Sequence, residues 1–341
     1  MRPTPGSTDD AGWASARGAG LVVDPDVAAL QSSARARRML VIVNPYATTM
    51  SERLRHLVVY ALQGRFDVHA VETQHRGHAI ELCREAAAAH YDVVVAFGGD
   101  GTVNEAANGL AGSRTALTAL PGGSNNVFVK ELGIPTDVVD ATEQLLERAD
   151  HWQPRTIDLG VMNGRYFTFA AGMGLDASVV ERVDRHPALK TRFGPFYFVE
   201  AAVATFLSRY VVRPPKLVVE VDGRPPVQGV SAFVQNAAHY TYFKSRAIEL
   251  VEGAGFESGA LAGVVLTRGR PYDVPTITFR ALSGAARIAK HRGIAAFGGF
   301  QEAVVRSADG RPIPIHVDGD HVGESLEARF TVAPDALRVI A

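Results

Sequence analysis

Residues 91–111 read as an apolar strand, a glycine-rich turn and a helix, and that unit limits what the rest of the chain can be. Asp92-Val93-Val94-Val95-Ala96-Phe97 is a continuous apolar, β-branched run, the composition of a strand buried on both faces of a parallel sheet. It ends in Gly98-Gly99-Asp100-Gly101-Thr102, after which Val103, Ala106, Ala107 and Leu110 recur at helical spacing. Three glycines let the backbone turn sharply and leave its amides uncovered, while the positive end of the new helix points to the same place. Amides around one carboxylate suit phosphate, a metal ion or proton transfer. A bare glycine turn is equally consistent with fold geometry; Asp100 and Thr102 inside it make the signal more specific.

The flanking sequence repeats the pattern. Met39-Leu40-Val41-Ile42-Val43 is a buried strand stopped by Asn44-Pro45. Residues 51–62 read as a helix, 66–72 as a strand ending at Thr73, and 77–89 as a second helix. Strand–helix alternation of this kind predicts a doubly wound, mostly parallel α/β domain, whose ligands bind beyond the carboxyl ends of the strands. Asn44, Thr73 and residues 98–102 all fall at such ends. A further strand, residues 116–120, leads into a second glycine turn, Pro121-Gly122-Gly123-Ser124-Asn125-Asn126. There Ser124 and Asn125 can cap the next helix or face a phosphate.

Beyond an amphipathic helix at 137–149 the texture becomes strand and turn: a hairpin around Asn163-Gly164, a third glycine turn (Gly172-Met173-Gly174-Leu175-Asp176), an apolar helix at 195–210, and strands near 216–221, 229–235, 262–267, 303–307 and 313–318. A helical insert is expected over 272–296 and two terminal strands over 329–332 and 336–340. The organisation expected is therefore a disordered tail over 1–38, an α/β nucleotide-binding domain over 39–155, and a β-rich, sandwich-like substrate domain over 156–325. The last strands, within 326–341, are expected to pack back on the first domain.

Composition sets the outer bounds. At 341 residues and 47% hydrophobic content the chain accommodates two domains. A formal net charge of −1 offers no basic excess for nucleic acid. Cys83 is the only cysteine, which excludes a disulfide framework and a thiolate zinc site, and its place on a helix face reads as packing. No window reaches the roughly 18 apolar residues of a spanning helix, and no secretory leader is evident. A cytoplasmic protein that touches membrane only peripherally is the expectation. Arg35, Arg37 and Arg38 could contact acidic lipid or simply be solvated. His78, His239 and His316 show no ligand-like spacing and read as packing or polar rim.

With these motifs placed, the chain resembles the diacylglycerol kinase catalytic-domain family, which includes bacterial soluble lipid kinases and sphingosine kinases. The resemblance spans about residues 39–341. It rests on Asn44-Pro45, Glu72-Thr73 with Gly77-His78-Ala79, residues 98–105, residues 121–126, residues 172–177 and Asp318-Gly319-Asp320, in that order. It implies an ATP site between an α/β domain and a β-sandwich, with Mg2+ and a lipid hydroxyl as acceptor. Asn44, Thr73, Gly98, Gly99, Asp100, Gly101, Thr102, Asn104, Glu105, Gly122, Gly123 and Ser124 fall in or beside its nucleotide-contacting motifs. Asp320 falls where many members carry a glutamate described as the general base, Asp100 is the corresponding candidate in sphingosine kinases, and Asp176 matches a head-group position. Three positions depart from the pattern: Asp320 is one methylene shorter than glutamate, Asn126 replaces an acid, and Ser258 stands where some relatives place an aspartate that helps hold a structural Mg2+.

The chemistry expected is phosphoryl transfer, with amides and cations compensating the spreading charge and a carboxylate taking the acceptor's proton. If Asp100 and Asp320 share a cleft, repulsion should raise one pKa. Arg182, Arg185, Lys190 and Arg192 could supply cations or line a solvated face. Residues 195–210 could line an acyl pocket or form plain core. Six Lys or Arg against Asp273 between Arg268 and Arg292 suit an anionic bilayer surface or a solvated one. Two rival readings stay open: a kinase acting on a soluble nucleotide such as NAD, and a non-catalytic lipid- or nucleotide-binding regulator. Which lipid is used, and whether the chain forms a homodimer, the sequence does not specify.

Overall fold

The computed structural model describes residues 36–47, 51–184, 201, 204–205, 214–243, 246–270, 272–283 and 287–341. Residues 37–341 form one compact unit. Its N-terminal part alternates strand and helix: β1 (Arg38–Val43), α1 (Glu52–Gln63), β2 (Asp67–Glu72), α2 (His78–Ala88), β3 (Val93–Gly98), α3 (Asp100–Leu110), β4 (Ala116–Pro121), α4 (Val127–Glu131) and α5 (Val138–Arg148). The strands pair in parallel in the order β2-β1-β3-β4. β3 and β4 are buried along their whole length, which is why their sequences carry no alternation. β2 is the edge strand and half exposed. Helix starts follow local chemistry: the Ser51 hydroxyl accepts from Leu54 N, and the Asp137 carboxylate from Val139 N and Asp140 N.

The C-terminal part is β-rich: β5 (Arg155–Met162), β6 (Arg165–Phe167), β7 (Ala170–Met173), helix α6 (Leu175–Asp184), β8 (Leu217–Val221), β9 (Val227–Gly229), β10 (Ser231–Gln235), β11 (Thr241–Phe243), β12 (Arg246–Ile248), β13 (Leu261–Leu266), helix α7 (Asp273–Ser283), β14 (Ile294–Phe300), β15 (Glu302–Ser307), β16 (Ile313–Val317), β17 (Asp320–Ser325) and β18 (Glu327–Val339). A six-stranded antiparallel sheet runs β14-β13-β10-β7-β16-β17. Opposite it, β18, β15, β8 and β9 continue the first sheet, and residues such as Met162, Phe167, Val219, Val265, Ile313 and Phe330 form a buried apolar layer shared by the two sheets. β18 is the seam. Its first residues pair with β15, β5 pairs with it from Phe330 to Val339, and its end pairs in parallel with β4 through Val339 and Leu117.

Several local expectations change. Residues 329–339 form part of one long strand with a register shift between Ala333 and Leu337, not two strands. The helical insert ends at Ser283; after a short 3-10 turn at Ile288–Lys290, residues 294–300 are strand, because Ile294 to Phe297 pair with β13. Arg37 donates to Ala149 O and stacks on Trp152, and Arg38 donates to Ala89 O and stacks on Tyr91, so neither is a loose approach to the first strand. The Asn163–Gly164 hairpin turn is present, with φ of 50° and 84°. The tail expected over 1–38 falls outside the described residues except for its last three positions, where β1 already begins at Arg38. Most of 195–210 also lies outside them.

Candidate active site

Four strand ends open onto one rim, and the backbone there is assembled by close approach. Gly122 N donates to Gly98 O at 2.9 Å, joining the two glycine turns. A methyl group on Gly123 would sit 2.8 Å from Gly99 Cα, so only glycine lets them lie side by side. Asn126, at φ 50°, brackets the second turn: its Oδ1 accepts from Gly123 N at 3.0 Å and its Nδ2 donates to Gly123 O at 2.8 Å. The amide thus shapes the loop at the position noted above as a departure from the family pattern. Neither Ser124 nor Asn125 caps α4. Asn126 occupies the cap position, Asn125 donates to Thr241 Oγ1 at 2.7 Å, and Ser124 is exposed on the rim.

α3 starts at Asp100 with Gly99 as its cap and no side chain over its first amides. Those donors have no intrahelical partner, and Gly99 and Gly101 put no side chain of their own beside them. That geometry fits a phosphate. Asn44 Nδ2 donates to Thr102 Oγ1 at 3.1 Å, and Thr73 N is held by Val43 O at 2.9 Å, which fixes both at the same rim.

Asp100 is largely enclosed there. Burial, reinforced by the charge of Asp318, raises its pKa to about 7; the Phe128 and Val127 amides and the Lys130 ammonium pull the other way. Phe128 N lies 3.4 Å from its Oδ1. The repulsion expected from Asp320 comes instead from Asp318. Lys130, on α4, is the cation that faces Asp100, and burial lowers its own pKa. It was not among the basic residues singled out from sequence. Of those, Arg182 is exposed on α6, while Arg185, Lys190 and Arg192 lie outside the described residues.

The second carboxylate arrives on a hairpin. Asp318 and Gly319, with φ of 47° and 78°, form the two-residue turn between β16 and β17 that Asp-Gly favours. Asp320 follows, its Oδ2 3.3 Å from where a Gly101 Cβ would stand and 3.5 Å from Arg76 Nη2. Gly101 therefore leaves room for Asp320 at the start of α3. Asp318 is buried and accepts from Thr168 N, Thr168 Oγ1, Phe169 N, Ala170 N and Asn104 Nδ2 at 2.7–3.0 Å. With its lone pairs so occupied it is a structural anchor, not a ligand. Asn104 also donates to Tyr166 O and accepts from Arg165 Nη2, both at 3.0 Å, so it ties α3 to β6 as well as to the Asp318 hairpin.

Glu105 has a different setting from a phosphate contact. Its Oε1 accepts from Gly77 N at 2.8 Å and its Oε2 from Ala79 N at 3.2 Å, capping α2 in place of the glycine at that helix's own cap. Asp176 belongs to the first turn of α6; its side chain lies outside the described residues. The Asp320 carboxylate, an oxygen donor at this rim, suits a hard cation such as Mg2+. At the separate turn near Ser258 the hydroxyl lies 2.9 Å from Gly255 O and 3.0 Å from Ala260 O.

Residues 38–162 match the family model described as the diacylglycerol kinase catalytic domain. The diacylglycerol kinase of Bacillus subtilis (strain 168) is 31% identical over 193 residues, 55% of this chain and 61% of that protein. That of Staphylococcus saprophyticus is 32% identical over 170 residues, 48% of this chain and 53% of its own length. The chain thus spans about half to three-fifths of these curated relatives. A solved diacylglycerol kinase structure from Bacillus anthracis str. Sterne superposes with a TM-score of 0.65 at 18% identity, covering 90% of this chain and 97% of that one, a likeness of fold. Residues 38–162 thus carry a clear likeness to the diacylglycerol kinase catalytic-domain family.

Proposed function

We propose that the protein is an ATP-dependent lipid kinase that transfers the γ-phosphoryl group to the hydroxyl of diacylglycerol or a related lipid alcohol. The observation that carries this reading is Asp100, raised toward neutrality between two glycine turns, with Asp320 from the other sheet reaching its neighbour Gly101. The open amides of α3 and the paired turns bind and orient the phosphates. Lys130, beside Asp100, and Arg76, beside Asp320, supply positive charge around them. Asp100 accepts the proton of the lipid hydroxyl as that oxygen bonds to phosphorus and the bond to the ADP oxygen breaks, and a pKa near 7 suits a base working at that pH. Mg2+, when bound, would neutralise phosphate charge, with Asp320 as its candidate ligand.

The acceptor is reached at a bilayer surface. Tyr272 and Phe279 are 55% and 62% exposed, and Arg270 and Arg292 stack on the Tyr272 ring. Aromatic rings among cations suit a surface of anionic lipid. Arg287 is already paired with Glu252, so the charge available there is smaller than the sequence suggests.

Radiolabelled ATP offered with diacylglycerol in anionic mixed micelles, and with NAD as a soluble acceptor, tests the reading. Labelled phosphatidic acid should form, with kcat/KM rising with pH through about 7, and Asp100→Asn should lower kcat by roughly a hundredfold or more. No lipid product, or an unchanged Asp100→Asn rate, would sink it.

A further inference from the structure

Outside the cleft, His75, His78 and Glu81 have the makeup of a transition-metal site. His78 is the first residue of α2, Glu81 lies one turn on, and His75 lies in the turn that enters the helix. Spacings of three bring such positions onto one helix face. The donor atoms of the three all lie within 4.8 Å of one another, and the two imidazoles are stacked with centroids 4.8 Å apart at 27°. Neighbouring Gly77 and Ala79 amides are fixed by Glu105, so the turn that carries the cluster is held independently of any ion.

The geometry points to a binding site for a divalent cation of the zinc class, formed by His75, His78 and Glu81. Two imidazoles and one carboxylate suit Zn2+, with a water in the fourth position, whereas Mg2+ prefers an all-oxygen shell. A tetrahedral site has donor–donor edges of about 3.4 Å. The present spread therefore closes by rotation of His75 and Glu81, which are exposed and free to turn. His75 Nδ1 lies 3.1 Å from Arg76 O; a carbonyl can only accept, so Nδ1 carries the proton and Nε2 keeps its lone pair for metal. His78 Nδ1 instead accepts from Gln74 N at 3.1 Å, which leaves the proton on Nε2. On metal binding that proton passes through solvent to Nδ1, and the exposed Gln74 amide turns to water.

The site bears on the cleft without belonging to it. Arg76, between the two histidines, reaches across to Asp320 Oδ2 and to His321 O at 3.3 Å, so a cation here would stiffen the turn that presents Arg76. The sequence expectation for His78 weighed it among the histidines alone, and the carboxylate one helical turn away went uncounted.

The test titrates ZnCl2 into the full, tag-free chain by isothermal calorimetry, with excess Mg2+ present to saturate oxygen-ligand sites. One Zn2+ per chain is expected, with affinity reduced at least about tenfold in both His75→Ala and Glu81→Gln. Both positions are exposed, and circular dichroism verifies that each variant is folded. Absence of Zn2+ binding by the unaltered chain, or unchanged affinity in the two variants, overturns the site. Neither result depends on catalysis, so the kinase reading stands or falls separately.

Discussion

At the scale of single residues, Asp100 and Asp318 divide the electrostatics between them. An acid whose folded pKa lies above its unfolded value keeps its proton as the unfolded chain releases one, so stability falls as pH rises from about 4 to about 7. Asp100→Asn removes that dependence. Urea unfolding of the variant at pH 8 should show a gain on the order of a few kcal/mol over the unaltered protein, shrinking toward zero at pH 4. A gain equal at both pH values would mean the carboxylate is not the cause. The variant keeps an oxygen for the Phe128 amide, so the comparison isolates charge. Asp100 was legible because a carboxylate inside a glycine turn has few structural excuses. Asp318 was quoted only as part of a motif, since nothing in Asp-Gly-Asp says which acid turns inward; its positive φ and five donors emerge only when β7, β16 and α3 meet. Lys130 and Arg76 were missed because their partners are 30 and more than 200 residues away.

Among elements, runs such as β1 and β3 could be read directly, because burial on both faces writes itself as uninterrupted apolar sequence. Elements defined by their partners could not. β14 carries two glycines and no clean alternation of burial, and its first three residues fell within the expected helical insert, and the length of β18 reflects three neighbours instead of its own propensity. The paired glycine turns lie between these cases: their presence was readable, their mutual contact was not. That contact makes Gly123 the sharpest steric position on the rim. Gly123→Ala places a methyl group 2.8 Å from backbone and 3.1 Å from Asn126 Oδ1, with no flexible end to yield. Crowding of this kind costs about 1–3 kcal/mol, and we expect ATP affinity to fall with it, measured by calorimetry beside thermal unfolding. Gly255→Ala is the control, because a Cβ there meets nothing within 4 Å and its φ is not positive. Equal behaviour of the two variants would refute the idea that the turns must touch.

Over the whole molecule, the site exists only because the second sheet is docked on the first. β18 provides continuity of hydrogen bonding, and Leu337, Val339 and Ile340 lie in the core of the parallel part while Ala328 and Phe330 lie in the core of the antiparallel part. The orientation of the two carboxylates, however, is set by the Asp-Gly hairpin, and Asp318 is its bolt: one buried carboxylate takes bonds from residues 168–170 of the second sheet and from Asn104 of α3. Replacing Asp318 by Asn keeps the volume but turns an NH2 toward donors already aimed at oxygen. With several charge-assisted bonds lost in a buried place, unfolding free energy should drop by about 3 kcal/mol or more, readable in guanidinium titration. The same variant removes the nearby charge that helps raise Asp100, so the acid limb of the kcat/KM profile should move to lower pH. A lesion that merely loosened packing would reduce stability without moving that limb, which separates the anchoring role of Asp318 from a general loss of structure.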